Sequence, residues 1–347
     1  MGKWLLSNLA AGVAVSSAVV MAAPAKPKAK PTPATAKPAA KGSLDMTMLH
    51  VQVILDHLGF SPGILDGRPG LSLTAALKGF QESRGLPITG EMDPVTLNAL
   101  HAYRAWRPVK TLTLTEAALA GPYVNPIPHS EMEQSKLPAL AYRTPLEKLA
   151  EMFHTTPAVL VELNSPQTKL TPGTKVNFPN ALPTSRAYDA KLRPDWRQTL
   201  NMLNVDANAP QAAKIVVDKS DSVLRVLDKS DKLVAQFKVT TGSEHDPLPL
   251  GTHKVTVYDY NPKFRYNPDL FWDAKSTDEK AMLPPGPNGP VGVVWMDLNI
   301  PHYGIHGTPE PQYIGRTESH GCVRMTNWNA ARLTLMMKPG IPVIFQA

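Results

Sequence analysis

Cysteine is the scarcest residue in this chain. Of 347 residues only Cys322 carries a thiol, which excludes an intramolecular disulfide. Acidic side chains are missing from the stretch that holds Lys26, Lys28, Lys30, Lys37 and Lys41, and large apolar ones are almost missing from residues 24–42. A segment built from Ala, Lys, Pro and Thr cannot offset the entropy of folding, so an extended, semi-rigid tether is expected there. No hydrophobic run of membrane-spanning length follows residue 25. No nucleic-acid motif accompanies the net charge of +7, so the basic excess points to a different anionic polymer.

What is present begins with an export signal. Lys3 supplies a positive start, Trp4 to Met21 is mostly apolar and small, and cleavage sites read after Ala22 or after Ala25. Ser7, Asn8, Gly12, Ser16 and Ser17 make the stretch a poor permanent anchor. Residues 1–25 are therefore expected to be a signal peptide and 26–43 a linker, leaving a mature chain without a stable membrane span. In an exported protein a lone thiol risks oxidation or wrong pairing. A free cysteine is often just a small buried hydrophobe, but Cys322 follows the polar run Glu318-Ser319-His320-Gly321. A nucleophile is expected.

Residues 44–104 carry a helical pattern. Leu49, Val53, Ile54, Leu55 and Leu58 share one apolar face, and Leu73, Ala76, Leu77 and Phe80 another. Gly59 and Gly85 end these helices, and Asp93-Pro94 caps and starts a third. A small helical bundle is expected. Thr111 to Thr115 alternates like a strand or a cap, inside a proline-punctuated connecting segment, 105–139. Residues 140–183 read as a βααβ unit, with Leu146, Leu149, Ala150 and Phe153 on one helix, Val159, Leu160 and Leu163 on the next, and a strand from Lys175 to Phe178.

From about Pro210 the pattern changes to strands, at 214–218, 222–228, 232–241, 251–258, 291–298, 304–306 and 342–345. One helix is clear, Trp328 to Met337, with Asn327 as its expected N-cap. This predicts a mainly-β domain, a sandwich or partly closed barrel, with a helix packed on it. His306-Gly307-Thr308 ends one strand, and a histidine is the base a thiol needs near neutral pH. Gly321 permits a tight turn, so the amides of Gly321 and Cys322 are placed to face one oxygen, as an oxyanion hole requires. His306, His320 and Cys322 also leave open a zinc hydrolase, although His320 and Cys322, two apart, form an awkward chelate.

Three stretches resemble known families. Residues 44–104 resemble the peptidoglycan-binding type 1 domain through Leu58-Gly59-Phe60, Asp66-Gly67, Phe80-Gln81, Gly85-Leu86, Gly90 and Asp93 to Thr96. Residues 140–183 resemble a LysM module through Leu149-Ala150, Phe153, Leu160, Asn164, Pro172-Gly173 and Val176 to Pro179, without the usual Gly-Asp before the first helix. Residues 210–347 resemble the L,D-transpeptidase (YkuD) catalytic domain. Thr241-Gly242, Pro249, Gly251, Pro284 to Pro287, Ile305 to Thr308 and Ser319 to Arg324 carry that likeness.

The resemblance implies a multidomain periplasmic enzyme of peptidoglycan synthesis that uses no cofactor or metal. It implies Cys322 as nucleophile and His306 as base, oriented through a carbonyl near Gly307. Gly321 would supply an oxyanion amide and His320 would line the hole. Arg324 would orient a substrate carboxylate or brace the loop, and Ser319 would position the loop by hydrogen bonding. The reaction implied is release of a terminal D-alanine from a tetrapeptide stem. The acyl group would pass to an amine of a second stem, to a lysine of an outer-membrane lipoprotein, or to water. Loss of activity, leaving a wall-binding scaffold, is the non-enzymatic alternative.

Overall fold

The computed structural model describes residues 43–272 and 274–347. The expected signal peptide and all but the last residue of the linker lie outside them. The first module opens with α1 (Met46–His57), capped by the Asp45 carboxylate, which accepts from the Met48 amide at 2.8 Å. Gly59, at φ +87°, turns the chain into the two-residue strand β1 (Phe60–Ser61). Helices α2 (Leu71–Ser83) and α3 (Pro94–His101) follow, α3 starting as Asp93-Pro94 predicts. Ile54, Leu55, Phe60, Leu77, Phe80 and Leu100 bury one another here. Gln81 is fully buried and structural: its amide group donates to Thr89 and Thr96 hydroxyls and accepts from the Gly90 amide.

The second module starts earlier than expected. Strand β2 (Val109–Thr113) pairs antiparallel with β3 (Lys175–Pro179), the last residue of β2, Thr113, lying opposite the first of β3, Lys175. Between them lie α4 (Glu116–Leu119), α5 (Glu131–Gln134), α6 (Pro145–Met152) and α7 (Pro157–Leu163). The Thr111-to-Thr115 alternation is thus largely a strand, and residues 105–139 contribute to this module rather than merely connecting. The segment before α6, where a first strand was expected, forms none; β2 is the strand that pairs with β3. Thr144 and Thr156 cap α6 and α7, each with proline in the first turn. Phe153 and Phe178 stack at 4.1 Å in the core.

After α8 (Pro194–Met202), which sequence periodicity did not reveal, the chain enters the strand-rich part. It contains β4 (Lys214–Asp218), β5 (Val223–Leu227), β6 (Leu233–Lys238), β7 (Gly251–Tyr260), the β8 (Phe264–Tyr266) and β9 (Ala281–Leu283) hairpin, β10 (Val294–Leu298), β11 (Gly304–His306), β12 (Val323–Arg324) and β13 (Pro342–Gln346). Nine strands form one hydrogen-bonded order, β1-β6-β5-β4-β13-β7-β10-β11-β12. Strand β7 joins its halves: residues 251–254 pair with β13, and residues 255–260 pair with β10. Trp196, Phe237, Met296, Trp328 and Phe345 lie in the core between the sheet and α9 (Asn327–Met336). Thr326, not Asn327, caps α9, its hydroxyl accepting from the Asn329 amide at 3.3 Å. Asn327 is the first helical residue, and its side chain turns inward.

The three parts interlock. β1 adds to the sheet edge at β6, Phe60 opposite Gln236, which covers an otherwise open strand. Asp56 of α1, His154 after α6 and Arg332 of α9 meet in a buried cluster. Arg332 donates to Asp56 Oδ2 at 3.1 Å, and His154 Nδ1 lies 2.9 Å from the same oxygen. Burial opposes ionisation of Asp56, but Arg332 and His154 outweigh it and hold the carboxyl well below its usual range.

Candidate active site

The site is built on the parallel pair β11 and β12, which aligns Ile305 with Val323 and His306 with Arg324. Cys322 immediately precedes β12. Its loop is clamped from the other side by residues 240–243. Arg324 and Thr240 exchange backbone hydrogen bonds (2.8 and 3.0 Å), the Ser319 amide donates to the Thr241 carbonyl (3.0 Å), and the Ser243 amide donates to the Ser319 carbonyl (3.2 Å). Within the loop the Ser319 hydroxyl donates to the Cys322 carbonyl at 2.5 Å. Gly321 sits at φ +95°, and a Cβ there would fall 2.6 Å from Tyr303 Cε1. The turn therefore requires glycine on two counts, backbone region and space.

His306 is buried, stacked on Trp295 with ring centroids 5.3 Å apart. Its Nδ1 lies 2.6 Å from the Gly307 carbonyl. A carbonyl only accepts, so Nδ1 carries the proton and Nε2 is the basic nitrogen of the neutral ring. The His306 carbonyl is itself fixed by the Met325 amide at 2.8 Å. Burial, reinforced by the Arg324 charge, pushes the imidazole down to about 3, so it is neutral at physiological pH.

The Cys322 thiol is partly exposed and donates to the His302 carbonyl at 3.6 Å. Burial pushes it up to about 11, against opposing contributions from a Gly304 backbone hydrogen bond and the Arg324 charge. At rest the thiol and the imidazole are thus both neutral, the thiol on the loop before β12 and the imidazole at the end of β11. Such a pair reacts by proton transfer during attack, rather than from a preformed ion pair.

The predicted residues Cys322, Gly321, Ser319, Arg324, His306 and Gly307 converge on this strand pair and its loops. His320 faces the β8–β9 insertion, its ring edge-on to Phe271 (5.0 Å) and tilted to Trp272 (5.9 Å), which is 56% exposed. Sequence reasoning did not find Trp295, His302, Tyr303, Phe271 or Trp272. The short His-Gly-Thr and Ser-His-Gly-Cys blocks carry no trace of them, because they arrive from β10 and from loops elsewhere in the chain. His306, His320 and Cys322 do not form a metal set: among the described residues no three His, Cys, Asp or Glu side chains gather to hold an ion.

Comparison with known proteins comes to the same domain. Residues 212–345 match the YkuD family, "L,D-transpeptidase catalytic domain", and residues 48–100 match "Putative peptidoglycan binding domain". "Putative L,D-transpeptidase YkuD" of Bacillus licheniformis is 44% identical over 59 residues, 17% of this chain and 36% of that protein. "Putative L,D-transpeptidase YqjB" of Bacillus subtilis is 28% identical over 135 residues, 38% of this chain and 69% of that protein. The chain thus spans about a third of the first of these relatives. A solved L,D-transpeptidase fragment from Xylanimonas cellulosilytica aligns with 92% of this chain and 100% of its own at 15% identity, with a TM-score of 0.36, too low to support a structural inference. An L,D-transpeptidase catalytic domain of the YkuD type is thus found at residues 212–345, and a peptidoglycan-binding domain at residues 48–100.

Proposed function

We propose that the protein is a peptidoglycan L,D-transpeptidase that works by cysteine acyl transfer. One observation carries the reading: Cys322 heads β12 directly beside β11, where His306 is held with Nδ1 protonated on the Gly307 carbonyl and Nε2 left basic. In the first step Cys322 Sγ adds to the carbonyl of the third stem residue while His306 takes the thiol proton. The tetrahedral oxyanion is met by the amides of Gly321 and Cys322, beside His320. Collapse breaks the amide bond, His306 returns the proton to the leaving nitrogen, and D-alanine departs. An incoming amine then attacks the thioester, loses its proton to His306 and frees Cys322. With a second stem as acceptor the product is a 3→3 crosslink. With a lipoprotein lysine the outer membrane is tethered to the wall.

Arg324 has two tasks in this scheme. Its backbone braces the loop against Thr240, and its charge favours the Cys322 thiolate while opposing the His306 imidazolium. The peptidoglycan-binding match supports the wall as partner and a wall-associated location in the periplasm. The reading is tested by incubating the mature protein with disaccharide-tetrapeptide, alone and with an amine acceptor, and weighing the products by mass spectrometry. Crosslinked dimer with released alanine is expected. Alanine release without any amine adduct would replace transfer by hydrolysis.

A further inference from the structure

Polar contacts run on from the catalytic base into the second module. Gly307, whose carbonyl orients His306, is packed against Asn327: a Cβ at Gly307 would lie 2.1 Å from Asn327 Oδ1, and one at Gly292 only 1.9 Å. Asn327 is 0% exposed, and both ends of its amide are used. Nδ2 donates to Glu151 Oε1 at 2.8 Å and to the Pro287 carbonyl at 3.1 Å, while Oδ1 accepts from the Val293 amide at 3.2 Å. Two acceptors on one side and a donor on the other allow a single orientation of the amide.

Glu151 belongs to α6, 176 residues away in the chain, and is 8% exposed. Its second oxygen accepts from the Tyr142 hydroxyl at 2.5 Å. The Pro284-to-Pro287 stretch is held on the same module, the Leu140 amide donating to the Pro285 carbonyl (2.9 Å) and the Asn288 amide to the Leu140 carbonyl (3.0 Å). Burying a carboxyl with no cationic partner is costly, and an apolar side chain would pack α6 onto α9 without that cost. What an apolar side chain lacks is an acceptor for Asn327.

We propose that Glu151 is a positioning residue for the base: it fixes Asn327, Asn327 fixes the Gly307 backbone, and Gly307 orients His306. The catalytic centre is then incomplete within residues 212–345, because the upstream module supplies the acceptor that sets its base. The link survives either protonation state of Glu151. As a carboxylate it takes both donors. As an acid it donates to the Tyr142 oxygen, the tyrosine proton turns to Met202 Sδ at 3.2 Å, and Oε1 still accepts from Asn327.

The proposal rests on His306 acting as base, and the two claims separate in one experiment. Cys322 is the sole thiol, so iodoacetamide alkylation of the full mature chain reports on it alone, whatever the natural substrate. Rates are measured from pH 5 to 10 for wild type, Glu151→Gln, Glu151→Met, Asn327→Ala and His306→Ala, with a melting curve for each. Glutamine keeps the acceptor and should overlay wild type. Glu151→Met and Asn327→Ala should lose about tenfold or more of the neutral-pH rate, keep the alkaline limb, and fall between wild type and His306→Ala. A purely structural role predicts altered melting with an unmoved pH profile. A wild-type profile in either folded Glu151→Met or Asn327→Ala, beside an impaired His306→Ala, overturns the positioning role alone. Glu151→Gln as slow as Glu151→Met overturns it too. An unchanged His306→Ala profile removes the base assignment and this proposal with it.

Discussion

Replacing Arg332 by methionine tests how the modules are held together. Arg332 donates to Asp56 at three points, the backbone carbonyl (2.9 Å), Oδ1 (3.2 Å) and Oδ2 (3.1 Å). Asp56 is 2% exposed, so its carboxylate would remain buried with only His154 beside it. Breaking one partner out of a buried pair costs about 3–5 kcal/mol, against a total stability of about 5–15 kcal/mol. Arg332→Met should therefore lower the urea midpoint of the mature chain sharply. Tryptophan fluorescence is a suitable probe, because Trp328 stacks on His154 at 5.2 Å inside the same cluster. The double variant Asp56→Leu with Arg332→Met removes both charges and should recover part of the loss, since an apolar replacement of a buried pair is close to neutral while His154 Nδ1 gives up its carboxylate partner. A cost below about 1 kcal/mol for Arg332→Met, or a double variant that loses the sum of two single costs, would refute the reasoning. The same contacts mean that a fragment starting near residue 210 leaves Arg332 without Asp56. Such a fragment tests folding as much as wall binding.

Two further outcomes are expected. Burial pushes the Glu151 carboxyl up to about 7 from 4.5, with Glu147 adding to the rise and Tyr142 and Asn327 opposing it. The folded chain thus holds a proton that the unfolded chain releases between those values, so stability falls as pH rises through that window, by on the order of 3 kcal/mol. Glu151→Gln should remove this slope: urea midpoints should favour the variant at pH 8 and match wild type near pH 5, and equal slopes would contradict the assigned burial. Gly321→Ala places a methyl against Tyr303 and forces alanine into the left-handed region, at a cost of about 1–2 kcal/mol from the backbone alone. D-alanine release, followed by coupled amino-acid oxidation, should drop by about tenfold or more while the chain stays folded, and an unimpaired variant would sever Gly321 from the chemistry.

Local signals made much of the fold legible. Asp45 was not singled out, but the Leu49-to-Leu58 face, the Gly59 stop and the Asp93-Pro94 start mark α1 and α3 because caps and apolar periodicity are short-range. β4, β5, β6 and β13 stand out because each is an apolar run between polar turns. The pairing of β2 with β3 was illegible, since the partners are separated by an insertion with no period of its own. β1 is two residues long, too short for any pattern, and its role appears only when β6 lies beside it. Asn327 looked like a cap by residue type, yet Thr326 does that work one position earlier and frees Asn327 to face Glu151. The thiol and its histidine were readable as chemistry, but nothing in the sequence connects them to a glutamate on α6.

The intact mass of the mature protein after rapid mixing with disaccharide-tetrapeptide tests the central claim most directly. A covalent adduct equal to the substrate less one alanine is expected on the wild-type chain. It should map to Cys322, be absent from Cys322→Ala, and disappear when an amine acceptor is added. An adduct that persists in Cys322→Ala, or wild-type turnover with no adduct at any time, would contradict a Cys322 acyl-enzyme.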